Sequence, residues 1–396
     1  MNKTFAILGS GMQGTAAAFD LARFAEPQSI LLGDTILAQA ERSAKRVNDL
    51  VGRQICQAVH VNALDPSSLT SFLEPVDVLL SCVPYWMHPK IAKVAIDTKT
   101  SMCDLGGNTE ITLETLAMDV AAKAAGVTLI PDTGLAPGLV NSLGLYLIEH
   151  LDSTESIKLF CGVLPQHPVP PFNYKLTFNV EGLVAEYDYQ AVTLRNGEIV
   201  LVDTLDEIEE LTLEHLGKME AFTTSGGTST APYSFQGRVQ NYQYKTIRWP
   251  GHCERMKIFR DFGFWGEAPI DIKGVQVKPR DLFCKVFGDA LKQFQDLDQC
   301  VVRGVGVGTR NGQKLELQVD IFDKQCEQTG FTSMERTTGF SIAIHAAAIA
   351  SGRLPVGCLR YETALSGTEF CQEIQRRGVS LKFSETVSSE HSPGTG

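Results

Sequence analysis

Along the chain, apolar residues gather first in short continuous runs and later in alternating ones, and this change divides the sequence in two. Phe5-Ala-Ile-Leu8, Ser29-Ile-Leu-Leu-Gly-Asp34, Gln57-Ala-Val-His-Val61, Val76-Asp-Val-Leu-Leu-Ser81, Ser101-Met-Cys-Asp104 and Val127-Thr-Leu-Ile130 are short and largely apolar. Between them lie stretches with helical spacing, among them one to about Leu50, one over 90–97 and one over 112–125. Such runs read as buried strands, and six of them alternating with helices predict an α/β fold with a Rossmann-type doubly wound parallel sheet. After about residue 150 the signals are hairpins: Ala191 to Val202 around Asn196-Gly197, Val301 to Ile321 around Asn311-Gly312, and Ile270 to Val277. They predict a second α/β domain with a large mixed, mainly antiparallel sheet. The acidic stretch Asp203-Thr-Leu-Asp-Glu-Ile-Glu-Glu210 carries apolar residues at helical spacing and is expected to be a solvated helix face. A small-residue helix is expected from Thr338 to Ala350, and Ser366-Gly-Thr-Glu369 reads as the capping box of a last helix. The expected domains are 1–135, completed by 338–387, and 136–337, with a small, polar, disordered tail over 388–396.

The first strand runs into Gly9-Ser-Gly-Met-Gln-Gly14 and then into a helix. In a dinucleotide-binding turn the first glycine makes the bend, the second lets backbone approach a pyrophosphate, and the third lets helix pack on strand. Asp34, at the end of the second strand and twenty residues beyond Gly14, stands where a carboxylate accepts hydrogen bonds from ribose hydroxyls. Gly9, Gly11, Met12, Gln13, Gly14 and Asp34 are therefore the candidate cofactor residues, with Cys82, Val83 and Pro84 at the end of the fourth strand. Asp34 would repel a 2′-phosphate, and Thr35-Ile36-Leu37 offer no cation beside it, so NAD is expected over NADP. Arg42, Lys45 and Arg46 further along keep NADP open.

Bulk composition narrows the class. The 396 residues, 43% hydrophobic and 20% charged, suffice for two domains with real cores. A net charge of −11 without a basic stripe argues against nucleic acid as a partner. Ten cysteines stand singly, with no metal-ligand spacing, which fits a reduced cytoplasmic protein without a structural metal. No apolar run approaches the ~20 residues of a membrane span, and the start does not read as a signal peptide.

The candidate chemistry sits at strand ends and in the second half. Arg248 can clamp a carboxylate, with Lys245 as a point-charge partner, although three residues apart on a strand the two point to opposite faces. His252 after a Pro-Gly turn is the candidate base, with His88 as rival; a structural histidine is an equal reading of His252. Tyr85 at the fourth strand end either supports the site or packs. Asp104 before Gly106-Gly107 either holds a substrate ammonium or caps the turn. Thr224 and Ser225, before Gly226-Gly227, either line the site or belong to a turn.

Gly9 to Gly14, Asp104-Leu-Gly-Gly107, Pro131-Asp-Thr-Gly-Leu-Ala-Pro-Gly138 and Tyr244-Lys-Thr-Ile-Arg-Trp-Pro-Gly-His252 resemble the saccharopine dehydrogenase-like family over nearly the whole chain. The resemblance implies a Rossmann domain completed by C-terminal helices, a second α/β domain, a homodimer built through it, and a small amino-acid substrate. Glu220-Ala-Phe-Thr-Thr-Ser-Gly-Gly-Thr-Ser229 is most similar to members that oxidise the ε-amine of L-lysine with NAD. Those members give allysine, which cyclises to piperideine-6-carboxylate, with ammonia and NADH. On that reading His252 is the base, Asp104 the ammonium holder, Arg248 the α-carboxylate clamp and Tyr85 a supporting hydrogen-bonder. Two alternatives stay open: a saccharopine-type or carboxyspermidine-type enzyme acting on a secondary amine with NAD(P)H, and a non-catalytic NAD-binding sensor.

Overall fold

The computed structural model describes residues 3–294 and 296–387; the expected tail lies outside them. The first sheet has seven parallel strands in the order Gly357–Cys358, Thr128–Ile130, Ser101–Asp104, Val78–Ser81, Thr4–Leu8, Ser29–Asp34, Cys56–His60. The strand order reverses beside Thr4–Leu8, so the crevice beyond Leu8 and Ser81 is the topological switch point where ligands bind in such sheets. Its central strands, Thr4–Leu8 and Val78–Ser81, are buried on both faces, which is why they read as unbroken apolar runs rather than as alternation.

The second sheet has nine strands. Ser153–Pro165 pairs parallel with Val239–Arg248 on one side and antiparallel with Asp298–Arg310 on the other. All three expected hairpins form, and Asn196-Gly197 and Asn311-Gly312 have the positive φ angles that two-residue turns demand. One apolar core passes continuously from behind the first sheet to the second. Its bridge is the helix Ser333–Ala350, capped reciprocally by Thr332 and Glu335 and packed on Met12–Phe24. A Cβ on Gly339 would stand 2.7 Å from that of Ala16, so the two helices touch backbone to backbone.

Three expectations are corrected. Asp203–Glu210 is no helix: Leu205 and Glu207 have positive φ, and Glu209–Leu213 is an edge strand paired with Gly217–Thr223. Helical spacing of apolar residues lost to sheet pairing there. The stretch over 112–125 is two helices, Thr109–Leu116 and Asp119–Ala125. Within 338–387, Gly357–Cys358 joins the first sheet, but Leu381–Val387 crosses back to pair with Gln313–Lys324 in the second. No helix among the described residues is long and apolar enough to cross a membrane.

Candidate functional site

The glycine turn has the geometry a pyrophosphate requires. Gly9 has φ +94°, and a Cβ there would meet the Cys82 carbonyl at 2.8 Å; one on Gly14 would lie 2.1 Å from the Gly9 carbonyl. At Gly11, the N-cap of Met12–Phe24, nothing lies within 4 Å of an added Cβ, so the open side of the turn faces the helix N-terminus. The buried Gln13 amide nitrogen has no hydrogen-bond partner among the described residues, which leaves a donor free at the turn. Asp34 accepts from the Ser10 N–H with one oxygen and from the Ile36 N–H with the other, which fixes its carboxylate beside the turn. These residues fit a dinucleotide.

From this turn a cleft of about 930 Å³ runs between the two domains. Met12, Gln13, Cys82, Val83, Pro84, Tyr85, Gly106 and Gly107 form its first-domain wall, and Ser225, Gly226, Tyr244, Thr246, Arg248, Glu181, Glu186 and Arg280 belong to the other. The walls close on each other where a Cβ on Gly226 would come within 3.5 Å of the Gly107 carbonyl. Ser225 is held by its N–H to the Glu186 carbonyl and its hydroxyl to the Ala185 carbonyl.

Of the expected substrate and catalytic residues, Arg248, Tyr85 and Ser225 line this cleft. Strand geometry separates Arg248 from Lys245: Tyr244, Thr246 and Arg248 share the cleft face, while Lys245 is buried on the other, its ammonium 2.6 Å from both the Glu207 carbonyl and Glu209. Thr224 is buried and bonded to the Thr246 hydroxyl at 2.7 Å. Tyr85 is held protonated, its phenol pushed up to about 12 chiefly by burial, with the Tyr189 hydroxyl also raising it.

His252, Asp104 and His88 are not lining residues. His252 is 1% exposed among Tyr174, Tyr187 and Phe222, and burial, reinforced by Arg248, pushes its pKa down to about 3. A group so hard to protonate is a poor proton acceptor, and the apolar pocket after the Pro-Gly turn is the reason. His88 is equally buried, its Nδ1 3.1 Å from the Ser81 hydroxyl and its pKa lowered to about 3 by burial. One oxygen of Asp104 accepts from the N–H groups of both Gly106 and Asp132, so the carboxyl ties the Gly-Gly turn to the next strand end. Burial raises its pKa to about 7.

Reading the sequence missed several cleft groups. Glu186, on Val180–Asp188, stands 3.5 Å from the Arg248 Nη2, and burial raises its carboxyl to about 7 against the pull of that guanidinium. Arg280, in the first turn of Pro279–Leu291, pairs with Asp188 at 2.7 Å and Glu267 at 3.4 Å. The signal was Glu181, Glu186 and Asp188 recurring in one short helix, which a search limited to strand ends passes over.

Comparison with known proteins matches two successive parts of the chain. Residues 5–130 match the saccharopine dehydrogenase NADP binding domain and residues 134–379 the saccharopine dehydrogenase C-terminal domain. The chain is 30% identical over 304 residues to the mitochondrial alpha-aminoadipic semialdehyde synthase of Rattus norvegicus, covering 72% of this chain and 31% of that protein. It is 22% identical over 317 residues to the NADP(+), L-glutamate-forming saccharopine dehydrogenase of Pyricularia oryzae, covering 74% of this chain and 69% of that one. It thus spans about a third of the length of the mammalian synthases it matches. Saccharopine dehydrogenase (L-Glu forming) from Saccharomyces cerevisiae has the same fold, with a TM-score of 0.76 at 18% identity over 97% of this chain and 100% of that one. With both halves matched in order by the two domains of one family, and with that fold around the cleft, the chain belongs to the saccharopine dehydrogenase family.

Proposed function

We propose that the chain is an NAD(P)-dependent dehydrogenase that oxidises the ε-amine of L-lysine, releasing ammonia and leaving allysine. The observation that carries this reading is the charge of the cleft. Among the described residues its lining has four carboxylates, Glu181, Glu186, Glu267 and Asp281, against two guanidiniums, Arg248 and Arg280, and each guanidinium already faces an acid. Saccharopine brings three carboxylates to such a surface and lysine only one, with two ammonium groups to meet the acids.

The 3.5 Å spacing of Arg248 and Glu186 suits the two ends of an α-amino acid zwitterion, carboxylate on the guanidinium and ammonium on the carboxylate. The ε-ammonium then extends toward the end of the cleft where Glu181, Glu267 and Asp281 gather around Cys284 and outnumber Arg280. It must lose a proton before its carbon can give up hydride, and the acids of this end are the acceptors; the neutral Tyr85 hydroxyl is the hydrogen-bond donor there. A bound NAD(P) supplies the hydride acceptor. Water then adds to the imine carbon and ammonia leaves. The Asp34 carboxylate beside the turn supports NAD as the preferred form.

A saccharopine-type activity is the second reading. It is favoured by the relatives named as NADP(+), L-glutamate-forming saccharopine dehydrogenases and by two arginines in one cleft. Reduced-nicotinamide absorbance with purified protein, NAD and L-lysine, with ammonia assayed in parallel, separates the two. Both products appearing supports the lysine reading; silence with lysine and turnover of saccharopine with NADP overturns it.

A further inference from the structure

The Arg248 guanidinium is held from behind by a chain of buried groups whose hydrogen-bond directions can be assigned one by one. A guanidinium only donates, so its Nε, 3.1 Å from the Tyr187 hydroxyl, gives that oxygen a hydrogen. The Phe172 carbonyl only accepts, so His252 Nδ1, 3.3 Å away, carries the ring hydrogen. The imidazole is neutral among aromatic rings beside a cation, which leaves Nε2 bare, and the Tyr187 hydroxyl 3.1 Å away donates to it. All three side chains are at most 4% exposed. A second donor, Nη1, is spent on the Ile247 carbonyl at 3.0 Å, and the guanidinium lies 5.3 Å from the Tyr174 ring centre.

We infer that Tyr187 and His252 are positioning residues whose one-way hydrogen-bond chain fixes the plane of Arg248, and that this plane sets the site's preference for amines bearing an α-carboxylate. The inference rests on the lysine reading for its substrate and not for its geometry. With two of its five N–H groups committed behind it, the guanidinium cannot turn about its stem, so its remaining edge meets the cleft in one orientation. His252 supplies a lone pair at the end of the chain and takes no part in proton transfer with substrate. This accounts for a histidine beside the site that is closed off from the cleft.

The test compares L-lysine with cadaverine, which has the same reacting amine and no carboxylate, in wild type, Tyr187→Phe and His252→Gln with saturating NAD. Losing a hydrogen bond to a charged group is worth about tenfold to a hundredfold. The lysine-over-cadaverine ratio of kcat/KM is expected to fall by that factor in Tyr187→Phe through a raised KM for lysine, with cadaverine turnover reporting an intact fold. The pH profile of kcat in His252→Gln is expected to keep its shape. An unchanged ratio in Tyr187→Phe, or loss of the acid limb of kcat in His252→Gln, overturns the inference. Nitrogen-15 spectra of ring-labelled wild-type holoenzyme, with His252 assigned by its loss in His252→Gln, should show Nδ1 protonated and Nε2 bare; the reverse tautomer refutes the chain whatever the substrate is. Absence of turnover on lysine with the expected tautomer present refutes the lysine reading alone.

Discussion

Replacing Asp104 by Asn separates a structural carboxyl from a substrate-binding one. In the folded chain this carboxyl is 2% exposed, and burial raises its pKa to about 7 from an ordinary value of 3.8, against the two backbone N–H groups that lower it. Folding therefore tightens proton binding: the protonated form is favoured in the native state, and stability is lost as pH rises from near 4 through about 7. A difference of about three units corresponds to about 4 kcal/mol, which is the ceiling for what ionised Asp104 costs the native state at pH 8. Because both N–H groups converge on a single oxygen, the Asn carbonyl can accept them both. Urea unfolding of Asp104→Asn with wild type alongside should show little difference at pH 4 and a gain of up to a few kcal/mol at pH 8. Asp132, raised to about 7 by burial and then by the Asp104 charge, should titrate lower in the variant. The KM for lysine should stay within about threefold of wild type. A variant less stable than wild type at pH 8, or a KM raised by about a hundredfold, would refute this account and return Asp104 to the role of ammonium holder.

Three further outcomes are expected. Glu186→Gln should raise the KM for lysine about tenfold to a hundredfold and abolish the rise in kcat/KM with pH through about 7, since only ionised Glu186 pairs with an α-ammonium; initial rates over pH 5–9 read both. Gly11→Ala should melt as wild type does but lose NAD binding by calorimetry, because its Cβ meets open space where the cofactor must come, whereas Gly14→Ala, pressed 2.1 Å from the Gly9 carbonyl, should lose about 3 kcal/mol or more of stability. Asp34→Asn removes the charge with little change of shape and should move the ratio of kcat/KM for NAD over NADP toward NADP by roughly tenfold, about 1.4 kcal/mol; an unmoved ratio would show that Asp34 does not set cofactor preference.

Much of the architecture was legible from the chain alone. Six short strands, the three glycines and the Asn-Gly hairpins are local signals: each depends on a backbone conformation or an apolar run that nearby residues impose. The same locality explains the error over Asp203–Glu210, where helical spacing was real but pairing with Gly217–Thr223 decided the outcome. The site was legible only in outline. Arg248, Tyr85 and Ser225 line the cleft, and alternation along Val239–Arg248 already put Arg248 and Lys245 on opposite faces without saying which of the two meets the cleft. What the sequence could not determine is which polar groups face water or substrate and which face each other. His252, His88 and Asp104 are buried in the folded chain, and burial is the largest cause that moves their pKa values away from those of free acids and bases. Glu186 becomes a cleft residue for the converse reason: the helix that carries it is held against the Ser225 turn and Arg248, contacts made only when the second sheet is assembled. Local pattern determined most elements of the fold, and the dielectric surroundings of each charge, a property of the whole tertiary structure, decided its chemistry.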